Sequence, residues 1–122
     1  MKFVVTNSEA TDRIEREMAF TNAKRSLRGG ASGPQVPLGE LPEQYHDAVK
    51  RARYVVHSYS TPIGWVSKTG EKTVPDVGYS LTTGYHQYAV AHAWGVDLPV
   101  ARGRELRPAG TGTREGYFGS GV

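Results

Sequence analysis

His57, His86 and His92, together with Asp76, are the residues of this 122-residue chain best equipped for metal or proton chemistry. Imidazole nitrogens and a carboxylate oxygen are familiar zinc donors. Their spacing does not assemble such a site. His86 and His92 are six positions apart, about 240° around a helix, so they point to different faces. A helical ligand pair needs i, i+4 spacing. His57 falls in a strand-like segment and can meet only one of the two. Thr82 and Thr83 ahead of His86 raise the idea of an activated hydroxyl. Nucleophilic catalysis, however, needs a base and an orienting third group, and the chain has no Gly-x-Ser-x-Gly elbow. Threonine ahead of a helical run is ordinarily a cap, and Asp76 after Pro75 ordinarily fixes a turn. No catalytic residue, metal ligand or cofactor is therefore assigned. A small enzyme or metal site at His57, His86 and His92 would require these side chains and Asp76 to converge in one pocket.

The chain has no cysteine, which excludes disulfides, thiolate zinc sites and cysteine nucleophiles. Gly110-Thr111-Gly112-Thr113-Arg114-Glu115-Gly116 faintly resembles a phosphate loop, but it lacks the terminal Lys-Ser/Thr pair and no helical pattern follows.

Binding chemistry is the stronger theme. The formal net charge is +3, and the cations gather toward the two ends. Lys24, Arg25 and Arg28 close the N-terminal region; Arg102, Arg104, Arg107 and Arg114 surround Tyr117 and Phe118 near the C-terminus. Arginine and aromatic groups in a glycine-rich context can engage nucleic acid by phosphate contact and stacking. The second set is aromatic. Tyr59, Trp65, Tyr85, Tyr88 and Trp94 are candidates for a protein interface, because tyrosine and tryptophan dominate binding hot spots. The competing reading places them in the core.

The elements that must position these groups follow from periodicity. Lys2 to Thr6 reads as a short strand. Asn7 or Ser8 can cap a helix that ends near Arg28, with Gly29-Gly30 as its stop. Its apolar residues form two displaced stripes: Ala10, Ile14 and Met18, then Phe20, Ala23 and Leu27. A Gly/Pro-rich loop covers 29–39. A second helix runs from about Pro42 to Arg53, burying Tyr45, Ala48, Val49 and Ala52. Tyr54 to Tyr59 is the clearest strand, apolar on both faces and so expected to be sandwiched. Thr61-Pro62 marks a turn or a bend at an edge, Lys68 to Glu71 a hairpin turn, and Pro75 the end of pairing. A third helix, capped by Thr82 or Thr83, runs to Trp94 with Gly95 as its C-terminal residue.

The segment Tyr54 to Trp94 carries the runs Ser58-Tyr59-Ser60-Thr61-Pro62-Ile63-Gly64-Trp65, Val74-Pro75-Asp76-Val77, Tyr79-Ser80-Leu81-Thr82-Thr83 and His86-Gln87. In order and spacing these resemble a small uncharacterised domain of actinobacterial phage proteins, over 41 of the 122 residues. The resemblance implies a phage origin and carries no reaction with it.

The expectation is thus an α+β fold. It has about three helices and a small antiparallel sheet built on Tyr54 to Val74, in one compact domain over 1–98. Residues 99–122 are expected to form a flexible Gly/Arg-rich tail. The N-terminus lacks a signal-peptide core. No apolar run approaches the ~18 residues of a spanning helix, so no membrane association is expected and the site of action is the host cytoplasm. The expected function is non-enzymatic binding of a host or phage protein, or of a second copy of the chain. The alternative is nucleic-acid binding by Lys24, Arg25 and Arg28 at a helix end together with the C-terminal arginines.

Overall fold

The computed structural model describes residues 3–98. The expected tail, with Arg102, Arg104, Arg107 and Arg114, lies outside them. The fold is α+β: three α-helices and a six-stranded, mostly antiparallel sheet whose strands lie in sequence order. Among the described residues no helix is long and apolar enough to cross a membrane.

Strand β1 (Val4–Val5) leads into helix α1 (Asn7–Glu15). The cap is Thr6 rather than Asn7 or Ser8. The Glu9 N–H donates to Thr6 Oγ1 at 3.2 Å, and the Thr6 N–H donates to Glu9 Oε1 at 2.9 Å. This reciprocal box satisfies two donors that the first turn would otherwise strand.

The expectation of one helix reaching Arg28 is overturned. After Glu15 the chain turns through Glu17, which takes a left-handed backbone (φ 56°). It then forms strands β2 (Phe20–Asn22) and β3 (Leu27–Gly30). Of the two displaced apolar stripes, Ala10 and Ile14 belong to α1, while Phe20 and Leu27 belong to β2 and β3 with Ala23 in the turn between them. Strand β2 runs parallel to β1, with α1 as the crossover, and antiparallel to β3. Gly29 and Gly30 are therefore strand residues, not a helix stop, and the loop begins after them. Gly29 opposes Phe20 in the ladder, and a Cβ there would collide with the Phe20 ring and the Tyr54 hydroxyl.

Residues 31–42 cross the sheet to a 3-10 turn (Glu43–Tyr45) and a short α2 (His46–Arg51). Strand β4 (Tyr54–Ser58) then pairs with β3 on one side and β5 (Thr61–Val66) on the other. Thr61-Pro62 opens β5 instead of forming a turn; the turn is Tyr59-Ser60. Pro62 is accommodated because the β4–β5 register shifts between Val56 and His57, and a bulge tolerates a residue with no N–H to donate. Strand β6 (Lys72–Thr73) closes the sheet, and α3 (Leu81–Trp94) follows. Ser80, not Thr82 or Thr83, caps α3 by accepting from the Thr83 N–H, and Gly95 takes the left-handed position at its C-terminus.

Both faces of the sheet are covered, as the two-sided pattern of β4 requires. Helices α1 and α3 seal one face over Ile14, Phe20, Leu27, Tyr54, Val56, Ile63, Val66 and Val90. The 31–45 segment and α2 seal the other over Leu41, Val49, Val55 and Trp65. Trp94 Nε1 donates to the Ile14 carbonyl at 3.1 Å and ties α3 to the end of α1. Tyr54 crosses beneath them, its hydroxyl donating to the Met18 carbonyl at 2.8 Å. Burial raises this phenol's pKa above its ordinary value, and the Glu17 charge adds to the shift.

Candidate functional site

The meander places two hairpin turns at the same end of the sheet. Leu27 pairs with Ser58, so the β2–β3 turn and the β4–β5 turn lie side by side. The N-terminal half of α3 reaches the same end through contacts with Ser58.

The β2–β3 turn is built around one buried amide. Asn22 Oδ1 accepts from the Ser26 N–H at 2.8 Å and the Leu27 N–H at 3.2 Å, while Asn22 Nδ2 donates to Ser26 Oγ at 3.0 Å. A side-chain amide imitating the backbone in this way holds a turn closed. Arg25 takes a left-handed backbone (φ 60°), and its N–H donates to the Asn22 carbonyl at 3.0 Å. Lys24 and Arg25 are consequently displayed to solvent on a fixed turn, not on the helix end expected for them.

The β4–β5 turn displays Tyr59. Its backbone is also left-handed (φ 56°) and its side chain is 54% exposed. A non-glycine residue in this conformation costs roughly 1–2 kcal/mol. Two long-range bonds hold it there. The Tyr59 N–H donates to the Ser26 carbonyl at 2.8 Å, and Arg28 Nη2 donates to the Tyr59 carbonyl at 3.0 Å. The third contribution comes from α3, where Leu81 (54% exposed) and Tyr85 (37% exposed) are one turn apart on the same side. The Tyr59 ring lies 6.3 Å from that of His86, the residue after Tyr85.

Beneath this surface runs a buried polar chain. Ser80 Oγ donates to Thr83 Oγ1 at 3.1 Å; Thr83 Oγ1 is 3.0 Å from Ser58 Oγ; Ser58 Oγ is 2.7 Å from His86 Nδ1. The three contacts can run in one direction: Ser80 to Thr83, Thr83 to Ser58, Ser58 to His86. Nδ1 is then the acceptor and the imidazole is neutral. Burial pushes His86 down to about 4. Ser58 and His86 have the contact of a nucleophile and its base, yet Ser58 is 1% exposed, and so depressed an imidazole is a weak proton acceptor. The chain's evident work is to fasten the turn to the helix.

The other histidines go elsewhere. His57 points to the opposite sheet face, where Nε2 meets the Pro37 carbonyl at 2.9 Å; burial lowers its pKa, and the nearby Arg28 charge adds to that. His92 is exposed and stacks loosely on Tyr88 at 5.9 Å. Asp76 lies in the β6–α3 connection. Convergence of His57, His86, His92 and Asp76 is not what the fold produces. Among the described residues no group of three or more His, Asp or Glu side chains is placed to hold a metal ion.

The aromatic candidates divide. Trp65 is core, 2% exposed and packed on Tyr45 with ring centroids 5.8 Å apart. Trp94 and Tyr88 are half-buried against the α1–α3 core. Tyr59 and Tyr85 remain at the surface. Sequence reasoning missed Leu81, Asn22 and Ser58 as site residues. Leu81 was marked by its i, i+4 relation to Tyr85, and Ser58 by sharing a strand face with Tyr54 and Val56. Asn22 carried no local signal, because its segment read as helix.

The chain has no match among protein-family models, curated proteins or solved structures.

Proposed function

We propose that this protein works by binding another protein, of host or phage origin, through the end of the fold that presents Tyr59, Leu81 and Tyr85. The observation that carries this reading is Tyr59. A half-exposed aromatic ring is held on a left-handed backbone by one bond to Ser26 in the β2–β3 turn and one from Arg28 in β3. Strain sustained by surrounding structure is a mark of functional positions. Rigid exposed tyrosines beside an aliphatic residue make efficient anchors, since little side-chain freedom is lost on docking.

A second copy of the chain suits this end less well. A symmetric contact would place Lys24 and Arg25 near their own equivalents, and like charges opposed across an interface are costly. Nucleic acid is the second reading. It is favoured by the fact that Lys24, Arg25 and Arg28 come to the same end as Tyr59 and Tyr85. Against it, Arg28 is half-buried and already bonded to the Tyr59 carbonyl, and Leu81 offers no base a stacking face. Two or three phosphate contacts neutralise little charge.

The test is capture of partners from host lysate on the tagged full chain, with and without nuclease. The comparison is the Tyr59→Gly, Tyr85→Ser double variant. Glycine accepts the left-handed backbone, so the variant should keep its Tm to within a few °C, about what a change under 1 kcal/mol produces. Wild type should retain a discrete protein after nuclease that the variant loses. Identical capture by a folded variant would sink the assignment of this surface, and capture abolished by nuclease would favour the nucleic-acid reading.

A further inference from the structure

From the charge around this surface we infer that the partner docks an acidic segment. The occupant is a short stretch of protein rich in Asp or Glu that also carries an apolar side chain. This inference rests on the protein-binding reading above and gives that partner its chemistry.

Three chain segments build the end: residues 22–28, 57–62 and 80–86. Together they contain Lys24, Arg25 and Arg28 and not one Asp or Glu. The sequence separates these cations from the aromatic residues by some thirty to sixty positions. The ladder joins them, because Leu27 pairs with Ser58 and Tyr59 bonds to both Ser26 and Arg28. Glu40 flanks the site, its N–H donating to Thr61 Oγ1 at 2.9 Å, on a segment belonging to the opposite sheet face. The cations are also organised. Lys24 and Arg25 ride on a turn closed by the buried Asn22, so their charge is presented with little backbone freedom to lose. Arg28 bridges the two halves of the surface, spending one N–H on the Tyr59 carbonyl.

A ligand matching this pattern needs carboxylates over Lys24 and Arg25 and an apolar group against Tyr59, Leu81 and Tyr85. A neutral apolar peptide leaves the cations unpaired. An oligonucleotide matches the charge but leaves Leu81 against a polar backbone or a base edge. An acidic segment with a hydrophobic residue satisfies both halves. Its encounter should be steered by charge, so that affinity falls as salt rises.

The experiment selects random dodecapeptides by display on the immobilised full chain. The winners are then titrated as labelled peptides against three proteins: wild type, Tyr59→Gly, and Lys24→Gln combined with Arg25→Asn. Asparagine is chosen at 25 because it tolerates the left-handed backbone. Dodecathymidylate is titrated in parallel as the nucleic-acid probe. The expected winners carry an excess of Asp and Glu with at least one aliphatic or aromatic residue. They should bind about tenfold more weakly to each variant, and several-fold more weakly as salt rises from about 0.05 to about 0.3 M. Replacing their acids with Asn and Gln should reproduce the loss. Neutral or basic winners that still depend on Tyr59 would overturn the acidic inference and leave the protein-binding reading standing. Winners indifferent to Tyr59→Gly, or no winner at all, would overturn both. Dodecathymidylate binding more tightly than any winner, with the same dependence on Lys24 and Arg25, would replace the peptide with nucleic acid.

Discussion

Acid should destabilise this fold through His86. The imidazole lies in a closed site formed by β4, α3 and the Tyr59 turn, with Nδ1 2.7 Å from Ser58 Oγ. Burial lowers its pKa from the ordinary 6.5 to about 4 in the folded protein. Between those values the unfolded chain binds a proton that the folded chain refuses. Stability therefore rises with pH across this window and is lost as pH falls from about 6.5 to about 4. At 1.36 kcal/mol per pH unit, the drop from 6.5 to about 4 is worth about 3 kcal/mol once both states are protonated. That is a large part of the stability of a small domain. His57, also lowered by burial, destabilises in the same direction, so the measurement must be a difference. Urea unfolding of wild type and His86→Gln should be followed by tryptophan fluorescence from pH 7.5 to about pH 4. The two stabilities should converge by roughly 3 kcal/mol as pH falls, with His57 cancelling. Ser58→Ala should keep the wild-type slope, because burial and not the serine sets the shift. Parallel profiles for wild type and His86→Gln, or an NMR titration of His86 near its ordinary value in the folded protein, would refute the reasoning.

Two further perturbations test the supports of the surface. Gly64→Ala puts a Cβ 2.8 Å from Val90 Cγ1 and 2.9 Å from the Trp94 ring. It should cost about 1–3 kcal/mol by overpacking, seen as a lower urea midpoint with an unchanged m-value. Asn22→Ala leaves the Ser26 and Leu27 N–H groups without their acceptor at a buried turn. It should cost about 2–3 kcal/mol and should weaken any ligand that uses Lys24 and Arg25 by more than it weakens one that uses Tyr85 alone.

Much of the local structure was already written in residue order. The two-sided apolar pattern of β4, the turn at Lys68 to Glu71 and the Gly95 stop are properties of a few adjacent residues, and local sterics and hydrogen bonding decide them, whereas the cap of α1 falls at Thr6 and not at Asn7 or Ser8. The α+β class followed from them. What the sequence could not separate was helix from hairpin across residues 16–30. Phe20, Ala23 and Leu27 fit a helical period, and only pairing with β1 and β4, far away in the chain, makes strands there more favourable. The histidines show the same limit. Spacing excluded a ligand pair at 86 and 92, which concerns one helix. The bond between Ser58 and His86 depends on how α3 lies across β4, and that is set by core packing. Whether an aromatic residue is core or surface was likewise undecided for Trp65 and Tyr59, six residues apart. The pleat and the two covered faces bury the first. The turn, held open by Arg28 and Ser26, exposes the second beside Lys24 and Arg25. Sequence determined which chemical groups the chain owns and most of its local elements. Tertiary structure decided which groups meet, because those contacts are long-range and their free energy exists only once the sheet has formed.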